Sequence, residues 1–396
     1  MINPNYYKNS EIAEKLGISP MSITRYINQA MKGKLEIELI EHNGDWKIKK
    51  SDLNNLLLNT IVNNKAKFKN PIKFKSIKIP SAFYTKYNID EQLEIMRDLK
   101  NINSINQKFA YLGENAFRYA EYQKSRKKNT LRSNLLYSNT GFFKKYSEQN
   151  KIKYNIFELG AMDLISSMSF IEELESENLI ESYTSIDISP NLLNMSKEII
   201  LNKFPNLNFS SEIADIEISE IYDIVLDRQF SNENPNTVNI FLLIGSTLSN
   251  IKGPKRVYQS IVDSLQTKDF LIIDLIKEYP EMEKNKIYDP NNLFYNYISS
   301  TMLDMGFEDK DFEIISKFDE AKKQREVFAQ LKYNIELITK LSVEPIQLTK
   351  GTEIQLSINR VDTNKDLSIL SSLNMDLVNM NSATKLDYMN VVFCKK

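Results

Sequence analysis

Between residues 154 and 275, short apolar segments alternate with helical patterns, and this alternation limits the possible folds more than any other feature. The apolar segments have the length and composition of buried strands and cover residues 154–160, 183–189, 208–213, 238–244 and 270–275. Helical patterns separate them, first over residues 164–174 and then from Pro190, where Ser189 can cap the helix. Strands separated by helices pair in parallel, so the sequence predicts an α/β fold with a doubly wound sheet.

Polar residues stand where the first three strand patterns end, and the ends of parallel strands meet at one edge of a sheet. Gly160 ends the first pattern, Asp187 lies near the end of the second, and Asp215 comes just after the third. An acidic residue at the second position can accept hydrogen bonds from ribose hydroxyls, and Asp215 can meet an adenine amino group. The loop after Gly160 lacks the further glycines of the Gly-x-Gly-x-x-Gly pattern that a pyrophosphate requires. This edge therefore favours S-adenosylmethionine, which has no pyrophosphate, over a nicotinamide dinucleotide.

Two scarce residue types restrict the chemistry that is available to the chain. The 396 residues include one cysteine, Cys394, and one histidine, His42. An internal disulfide is impossible, and a Cys/His zinc site or a catalytic group built on Ser-His-Asp or Cys-His is all but excluded. We therefore predict no metal site. Catalysis must use carboxylates, lysines, tyrosines, hydroxyls, amides or a cofactor, and methyl transfer fits because its cofactor brings its own leaving group.

Length and hydropathy set the expected organisation and location. A chain of 396 residues is too long for one ordinary core, so two or three domains are expected. No apolar stretch is long enough to span a bilayer, and residues 1–8 lack the apolar core of a secretory signal. We expect a cytoplasmic protein that makes no membrane contact.

The first 60 residues have the pattern of a winged helix-turn-helix module. A short helix from Ser10 is followed by Gly17, which permits a tight exit, and by a second helix that begins at Ser19-Pro20. Strand patterns at residues 35–39 and 46–48 then flank a hairpin turn with Asn-Gly at its centre. A third helix is predicted over residues 51–58.

The sequence Gly44-Asp45-Trp46-Lys47-Ile48, followed by a helix that opens with Asp-Leu, resembles the wing of excisionases and related regulators. This resemblance covers residues 6–60 and implies that the second helix enters the major groove of DNA. The candidate DNA-binding residues are Ser22, Thr24, Arg25, Gln29 and Lys47. A protein-docking or dimerisation module is the alternative. Winged modules that bind DNA commonly work as dimers, so a homodimer is the expected form in that case.

The charge of the chain is distributed unevenly. Residues 1–80 carry fourteen Lys and Arg against seven Asp and Glu, a net of +7, in a chain whose net charge is −1. A basic front end on an acidic body favours a polyanionic partner for residues 1–60. Residues 61–104 are expected to form a Lys- and Asn-rich linker and a bridging helix near residues 90–99.

Several motifs occur in the order and spacing of a known enzyme family. They are Glu158-Leu159-Gly160, residues 185–189 (SIDIS), Ala214-Asp215, residues 242–250 (LLIGSTLSN) and residues 270–277 (FLIIDLIK). Together with residues 108–117 (KFAYLGENAF), 286–289 and 351–354, they resemble the histidine-specific methyltransferases of ergothioneine synthesis over residues 105–396. The resemblance implies a Rossmann-like class I methyltransferase domain. Its cofactor core would span residues 150–276 and its substrate-domain insert residues 280–365.

The resemblance also implies roles for individual residues. In that family S-adenosylmethionine donates methyl groups to the α-amine of histidine in three rounds. The implied cofactor-binding residues are Glu158, Gly160, Asp187, Asp215, Gly245 and Ser246. The implied substrate-binding residues are Tyr111, Asn250, Tyr288, Ser357 and Asn359. Tyr288 and Asn250 would be catalytic because they orient the amine.

Two positions depart from the family pattern and shape the functional prediction. Met162 is a bulky residue in the loop after Gly160, and Ser357 stands where the family has an acidic residue that binds imidazole. We therefore predict S-adenosylmethionine-dependent N-methylation of an amino acid or related small amine, and not of histidine in particular. The alternative is a DNA-binding regulator or scaffold whose methyltransferase-like domain has lost catalysis. Methylation of DNA or protein ranks third because the Asp-Pro-Pro-Tyr type of element is absent.

Overall fold

The computed structural model describes residues 6–7, 12–13, 20–31, 39–42, 45–49, 73–161, 164–230, 234, 236–245, 247–277, 284–382 and 388–396. The chain divides into two compact units, Met1–Lys73 and Phe74–Lys396. Within the described residues, no helix has both the length and the hydropathy needed to cross a membrane.

The smaller unit contains a three-stranded antiparallel sheet and a helix of twelve residues. In chain order its elements are β1 (Tyr6–Tyr7), α1 (Pro20–Met31), β2 (Leu39–His42) and β3 (Asp45–Lys49), and β3 lies between β1 and β2. His42 pairs with Asp45, so the chain reverses where the sequence predicts a hairpin. Ile23, Tyr26 and Ile27 are buried and form the inner face of α1.

The candidate DNA-binding residues of the smaller unit lie on α1 and β3. Thr24 and Arg25 are exposed on α1. Ser22 and Gln29 also belong to α1 and Lys47 to β3, but their side chains lie outside the described part of the structure. The predicted third helix over residues 51–58 lies outside the described residues as well.

Within the described residues, the larger unit has three sheets. Its strands are β4 (Lys75–Lys78), β5 (Lys153–Leu159), β6 (Ile180–Asp187), β7 (Phe209–Ile213), β8 (Thr237–Leu243), β9 (Phe270–Ile276), β10 (Lys286–Tyr288), β11 (Phe312–Asp319), β12 (Gln324–Leu331), β13 (Ile335–Ile338), β14 (Ile346–Leu348), β15 (Glu353–Arg360), β16 (Met375–Ser382) and β17 (Tyr388–Lys395).

The helices of the larger unit surround these sheets. They are α2 (Ser81–Lys86), α3 (Ile89–Ile102), α4 (Asn115–Lys124), α5 (Lys127–Tyr137), α6 (Thr140–Asn150), α7 (Met168–Ser176), α8 (Pro190–Lys203), α9 (Ile221–Phe230), α10 (Thr247–Asn250), α11 (Pro254–Ser264), α12 (Leu293–Ile298), α13 (Ser300–Asp304) and α14 (Thr363–Ser372). Short 3₁₀ turns occur at Gln107–Tyr111 and Asp309–Asp311.

The largest sheet has seven strands in the order β16-β17-β9-β8-β5-β6-β7. Strands β5 to β9 run parallel to one another, and β17 is antiparallel to both of its neighbours. These five parallel strands coincide with the five predicted ones, with ends displaced by at most three residues. The predicted doubly wound α/β sheet is therefore confirmed. Because β6 and β8 flank β5 on opposite sides, the loops after β5 and β8 diverge, and such a switch point is where open α/β sheets bind ligands.

Helices cover both faces of this sheet. Phe157 and Phe241 belong to a core that includes side chains of α9, α11 and α14, whereas their neighbours Ile156 and Ile240 belong to another that includes side chains of α5, α6 and α7. Burial on both faces explains why the strands read as almost continuous apolar runs in the sequence.

A second layer joins the residues after β9 to the beginning of the larger unit. Strands β10, β11, β12 and β15 form an antiparallel sheet, and β13 pairs in parallel with β4 and antiparallel with β14. Ile77 and Leu99 pack in one core with Ile335 and Leu337. Residues 74–104, which the sequence assigns to a linker and bridging helix, therefore belong to the larger unit because they bury apolar side chains in its core.

The segment after α3 is fixed against β15. The backbone N–H of Ile105 donates to the carbonyl of Gln355 at 2.9 Å, and the N–H of Gln355 donates to the carbonyl of Asn103 at 2.8 Å. The 3₁₀ turn Gln107–Tyr111 follows directly, so its position is set by the insert sheet.

Candidate functional site

The carboxyl ends of neighbouring parallel strands open into a cavity, which we call the strand-end cavity. Its walls include Gly160 after β5, Asp187 at the end of β6, Asp215 after β7, Thr247 and Asn250 on α10 after β8, and Tyr111 from the 3₁₀ turn. Three residues that the sequence predicts from strand ends, Gly160, Asp187 and Asp215, thus lie around one space.

Gly160 presents backbone and no side chain to the strand-end cavity. Its φ angle is +72°, a region that L side chains rarely adopt, and a Cβ atom there would lie 2.7 Å from Oγ1 of Thr247. The backbone N–H of Gly160 donates to the carbonyl of Ile186 at 2.7 Å, which fixes the turn against β6. A ligand can therefore approach the chain closely at this point.

Asp187 is a buried carboxylate in the wall of the same cavity, with only 6% of the residue exposed. Its Oδ1 accepts a hydrogen bond from the backbone N–H of Ser189 at 2.9 Å, so the side chain is held at the start of α8. A fixed carboxylate at the end of the second parallel strand suits a pair of ribose hydroxyls.

Asp215 lies in an acidic part of the wall that one lysine partly neutralises. Its Oδ1 accepts from the N–H of Glu217 at 3.0 Å, and Nζ of Lys108 lies 3.6 Å from Oδ2 of Asp215 and 2.8 Å from Oε2 of Glu94. Burial lowers the pKa of Lys108, but the hydrogen bond to Glu94 and the two negative charges raise it more, so it lies above its ordinary value. Burial and the charge of Asp215 raise the pKa of Glu217.

A second cavity adjoins the first and is rich in tyrosine; we call it the tyrosine cavity. Gln107, Tyr111, Tyr119 and Asn250 line both cavities. Three more predicted site residues, Tyr288, Ser357 and Asn359, line the tyrosine cavity alone. The two spaces therefore meet at a shared wall of amide and phenol groups.

The Tyr111 hydroxyl is the centre of this shared wall. It accepts hydrogen bonds from Nε2 of Gln107 at 2.6 Å, from the Tyr297 hydroxyl at 2.9 Å and from Nδ2 of Asn250 at 3.3 Å. Oδ1 of Asn250 in turn accepts from Nδ2 of Asn359 at 2.6 Å. Burial raises the pKa of Tyr111 to about 12, with the charge of Asp187 acting in the same direction. The phenol is therefore protonated at neutral pH and cannot serve as a base.

Aromatic rings form much of the tyrosine cavity. Tyr297 stacks on Tyr111, with ring centroids 5.8 Å apart, and on Tyr122, with centroids 5.6 Å apart. Tyr119 contacts both Tyr111 and Tyr297 at 4.8 and 4.7 Å between centroids. This packing of ring against ring holds the aromatic side chains in place.

Arg325 is a buried cation in the wall of the tyrosine cavity that the sequence analysis missed. It donates a hydrogen bond to the Tyr288 hydroxyl, and its guanidinium carbon lies 5.4 Å from the ring centroid of Phe294. Only 4% of the residue is exposed. Its position along the strand could have indicated that Arg325 faces inward, because it occupies the same inward-facing set of β12 positions as Val327 and Ala329.

A buried polar network fixes the turn after β8. The N–H of Gly245 donates to Oδ2 of Asp274 at 3.0 Å, and Nδ2 of Asn390 donates to Oδ1 at 2.8 Å. Nδ2 of Asn139 donates to Oδ1 of Asn390 at 2.7 Å. This network fixes the start of the segment that carries Thr247 and Asn250.

Two residues that the resemblance assigns to cofactor binding are not among the described wall residues of either cavity. Glu158 accepts a hydrogen bond from the Tyr183 hydroxyl at 2.5 Å inside the sheet, and Gly245 contributes its backbone to the network under the turn. In these contacts both residues stabilise the strands and the turn that border the site. Ser246 and Met162 lie outside the described residues.

Comparison with solved structures finds similar chains, several of which are described as methyltransferases. The PH0226 protein of Pyrococcus horikoshii is 12% identical, with 72% of this chain and 99% of that chain covered and a TM-score of 0.39. Human N-acetylserotonin methyltransferase in complex with S-adenosylmethionine is 10% identical, with 100% and 88% covered and a TM-score of 0.38. CalS10, an amino pentose methyltransferase of Micromonospora echinaspora with bound S-adenosylmethionine, is 4% identical, with 71% and 97% covered and a TM-score of 0.36. None of the curated proteins compared with this chain matches its sequence.

A family model described as "Histidine-specific methyltransferase, SAM-dependent" matches residues 134–372. This range begins in α5 and ends with α14, so it includes the five parallel strands and the insert but is shorter than the resemblance over residues 105–396. The seven-stranded sheet is the Rossmann-like fold of class I methyltransferases, and S-adenosylmethionine is the cofactor of the domain. The chain belongs to the family of histidine-specific, S-adenosylmethionine-dependent methyltransferases.

Proposed function

We propose that the larger unit methylates the nitrogen of an amino acid or related small amine where its two cavities meet. The observation that carries this proposal is the shared wall: Tyr111 and Asn250 line both the strand-end cavity and the tyrosine cavity. Two bound molecules, one in each cavity, would have their reacting atoms beside the same two side chains. Alignment of this kind supplies most of the rate when the reagent is intrinsically reactive.

The chemistry of the strand-end cavity fits S-adenosylmethionine. The backbone at Gly160 would lie beside the methionine part, the Asp187 carboxylate would accept from the ribose hydroxyls, and Asp215 would accept from the adenine amino group. When bound, this cofactor supplies a methyl group on a positively charged sulfur. The acidic groups Asp187 and Asp215 give the cavity the charge that suits such a cation.

The side chains of the shared wall would hold and orient the amine. Asn250 and the protonated Tyr111 can form hydrogen bonds with the substrate, while Tyr288, Ser357 and Asn359 line the remainder of its space. The nitrogen lone pair would form the new N–C bond as the C–S bond breaks, with the C–S electron pair kept on sulfur. The methylated ammonium then loses its extra proton to solvent. No described residue of the shared wall is a base at neutral pH, so the amine must arrive neutral.

The role of Gly160 is testable by substitution. We expect Gly160→Ala to weaken the affinity for S-adenosylhomocysteine by at least about tenfold, because the added Cβ is strained at positive φ and displaces Thr247. Isothermal titration measures this affinity. Gly141→Ala is the matched control, since no atom lies within 4 Å of the added Cβ there. Equal affinities of the two variants for S-adenosylhomocysteine would mean that Gly160 does not belong to the cofactor site.

The proposed reaction is testable with labelled cofactor and a panel of amines. We expect the protein to methylate at least one amino acid or small amine, and Asn250→Ala to lower kcat/KM by about 10- to 100-fold through loss of orientation. Mass spectrometry identifies the product, and Asn101→Ala, at an exposed position of α3, is the matched control. Tight cofactor binding without turnover on any amine would reject the proposed enzymatic activity. It would favour a regulator with a degenerate methyltransferase domain.

We also propose that residues 1–60 bind duplex DNA. What supports this is the winged helix-turn-helix pattern of the segment and the exposure of Thr24 and Arg25 on α1, the helix that a winged module inserts into the major groove. DNA binding here is compatible with either an active or a degenerate larger unit.

Fluorescence anisotropy with the full chain and labelled duplex DNA tests this second proposal. We expect Arg25→Ala to weaken binding by about tenfold and to reduce the slope of log affinity against log salt by about one if Arg25 contacts a phosphate. Asn28→Ala, exposed on the same helix, is the control. Binding that is absent, or that is the same in both variants, would contradict the assignment.

A further inference from the structure

The Asn250 amide, to which the proposed function assigns the amine, is carried by a helix of a single turn. This helix, α10, comprises the four residues Thr247–Asn250. A helix of this length cannot hold its own position, because one turn does not repay the entropy lost in ordering it. Its last carbonyl groups also lack partners within the helix. The position of Asn250 must therefore be set by residues outside α10.

The segment that contains α10 is fixed at its beginning by the buried network after β8. The backbone N–H of Gly245 donates to Oδ2 of Asp274 at 3.0 Å. Thr247 follows two residues later, at the point where a Cβ atom on Gly160 would lie 2.7 Å from its Oγ1. The Asp274 contact thus acts at the end of the segment that borders the strand-end cavity.

Arg360, the last residue of β15, contacts the other end of α10. Its Nε donates to the carbonyl of Ile251 at 3.1 Å, and its Nη2 donates to the carbonyl of Leu248 at 3.3 Å. These carbonyls lie on either side of Asn250 in the chain. The preceding residue, Asn359, donates from Nδ2 to Oδ1 of Asn250 at 2.6 Å. The end of β15 therefore contacts both the backbone around Asn250 and its side chain.

A buried carboxylate holds the guanidinium of Arg360. Nη1 and Nη2 of Arg360 lie 3.4 and 3.3 Å from Oδ1 of Asp366, in the first turn of α14. The two side chains are only 10% and 7% exposed. A guanidinium can bind two carbonyls and a carboxylate together, because all three of its nitrogens carry N–H groups in a fixed plane. Arg360 thus joins β15, α10 and α14 at one point.

The effect of Arg360 on a bound amine would have to pass through α10. Arg360 is not among the described wall residues of the strand-end cavity or the tyrosine cavity, whereas Asn250 lines both. A displacement of about 1 Å in a group that orients a substrate can lower the rate by about 100-fold. Contacts that fix the backbone around Asn250 can therefore control the rate without touching the substrate.

We propose, on the basis of the proposed function, that Arg360 is a positioning residue for methyl transfer. It holds the carbonyl groups at the end of α10, and this keeps the Asn250 amide where it orients the amine. Asp366 holds the guanidinium against α10. Arg360 takes no part in the bond changes of the reaction.

Substitution of Arg360 provides the first test, with the common L-amino acids and their decarboxylated amines as the panel. We expect Arg360→Met to lower kcat/KM for the best amine by about 10- to 100-fold. Affinity for S-adenosylhomocysteine should change by less than about threefold, because Asp274 still fixes the segment beside the strand-end cavity. Arg360→Lys keeps the charge and one donor nitrogen, so it should restore part of the loss.

Arg97→Met, at an exposed position of α3, is the matched control for these measurements. Activity of Arg360→Met within about threefold of the wild type would overturn the proposal. A loss of affinity for S-adenosylhomocysteine as large as the loss of kcat/KM would also overturn it, since that result would indicate a general distortion of the site.

Combination with Asn250→Ala tests whether Arg360 acts through Asn250. We expect Arg360→Met to lower kcat/KM by less than about threefold when residue 250 is already alanine, because the amide that Arg360 positions is then absent. Residues that act independently would instead give losses that multiply. Multiplied losses in the double variant would reject the positioning role.

The ion pair with Asp366 requires a separate control. Arg360→Met leaves a buried carboxylate without its cation, which can destabilise the fold. The double variant Arg360→Met/Asp366→Asn removes both charges and serves if the single variant does not fold, as judged by its melting temperature. Asp366→Asn alone retains the bonds from Arg360 to α10, so we expect a smaller loss of kcat/KM than for Arg360→Met. Equal losses would mean that the ion pair, and not α10, carries the effect.

Binding measurements separate this proposal from the proposed function. The same amines are titrated into the chain saturated with S-adenosylhomocysteine, which requires no turnover. If amines bind but none is methylated, weaker binding by Arg360→Met, by about tenfold and only when Asn250 is present, would retain the positioning role and reject the reaction. Methylation that Arg360→Met leaves unchanged would do the reverse. Absence of both binding and methylation over the panel would reject both.

Discussion

The hydroxyl of Tyr111 joins three segments that are far apart in the sequence, and the site depends on this junction. Gln107 belongs to the same 3₁₀ turn, Asn250 to the helix after β8, and Tyr297 to the insert. The turn is itself fixed through Ile105 to the backbone of β15. The cofactor side and the insert side therefore share one rigid wall, and a change in the position of any one segment would alter both cavities.

The two cavities that meet at this wall differ in the charged residues that are described in their linings. Asp187 and Asp215 give the strand-end cavity an acidic lining, which suits hydroxyl groups and a cationic cofactor. The tyrosine cavity is lined by Arg126, Lys286 and Arg325. Two adjacent spaces with different linings would suit two different molecules.

The sequence predicts the parts of this structure that depend on local pattern. The five parallel strands are apolar because both faces of the sheet are buried, and Gly160, Asp187 and Asp215 follow from the strand ends. Strand β4 could not be predicted, because Lys75–Lys78 is a short Lys-rich segment whose partner β13 is more than 250 residues away. Arg325 was missed for a related reason. The direction of its side chain can be assigned to a cavity only when β12 is known to pair with β15. The motif also suggests a cofactor contact for Glu158, which accepts a hydrogen bond from the Tyr183 hydroxyl; the cofactor contact stays a prediction.

The central claim is that the two cavities hold a cofactor and an amine side by side at Tyr111 and Asn250. A crystal structure of the chain with S-adenosylhomocysteine and the best-bound amine of the panel tests it most directly. The account predicts S-adenosylhomocysteine in the strand-end cavity with its ribose on Asp187, and the amine nitrogen at Asn250. Electron density for the amine outside the tyrosine cavity would contradict it.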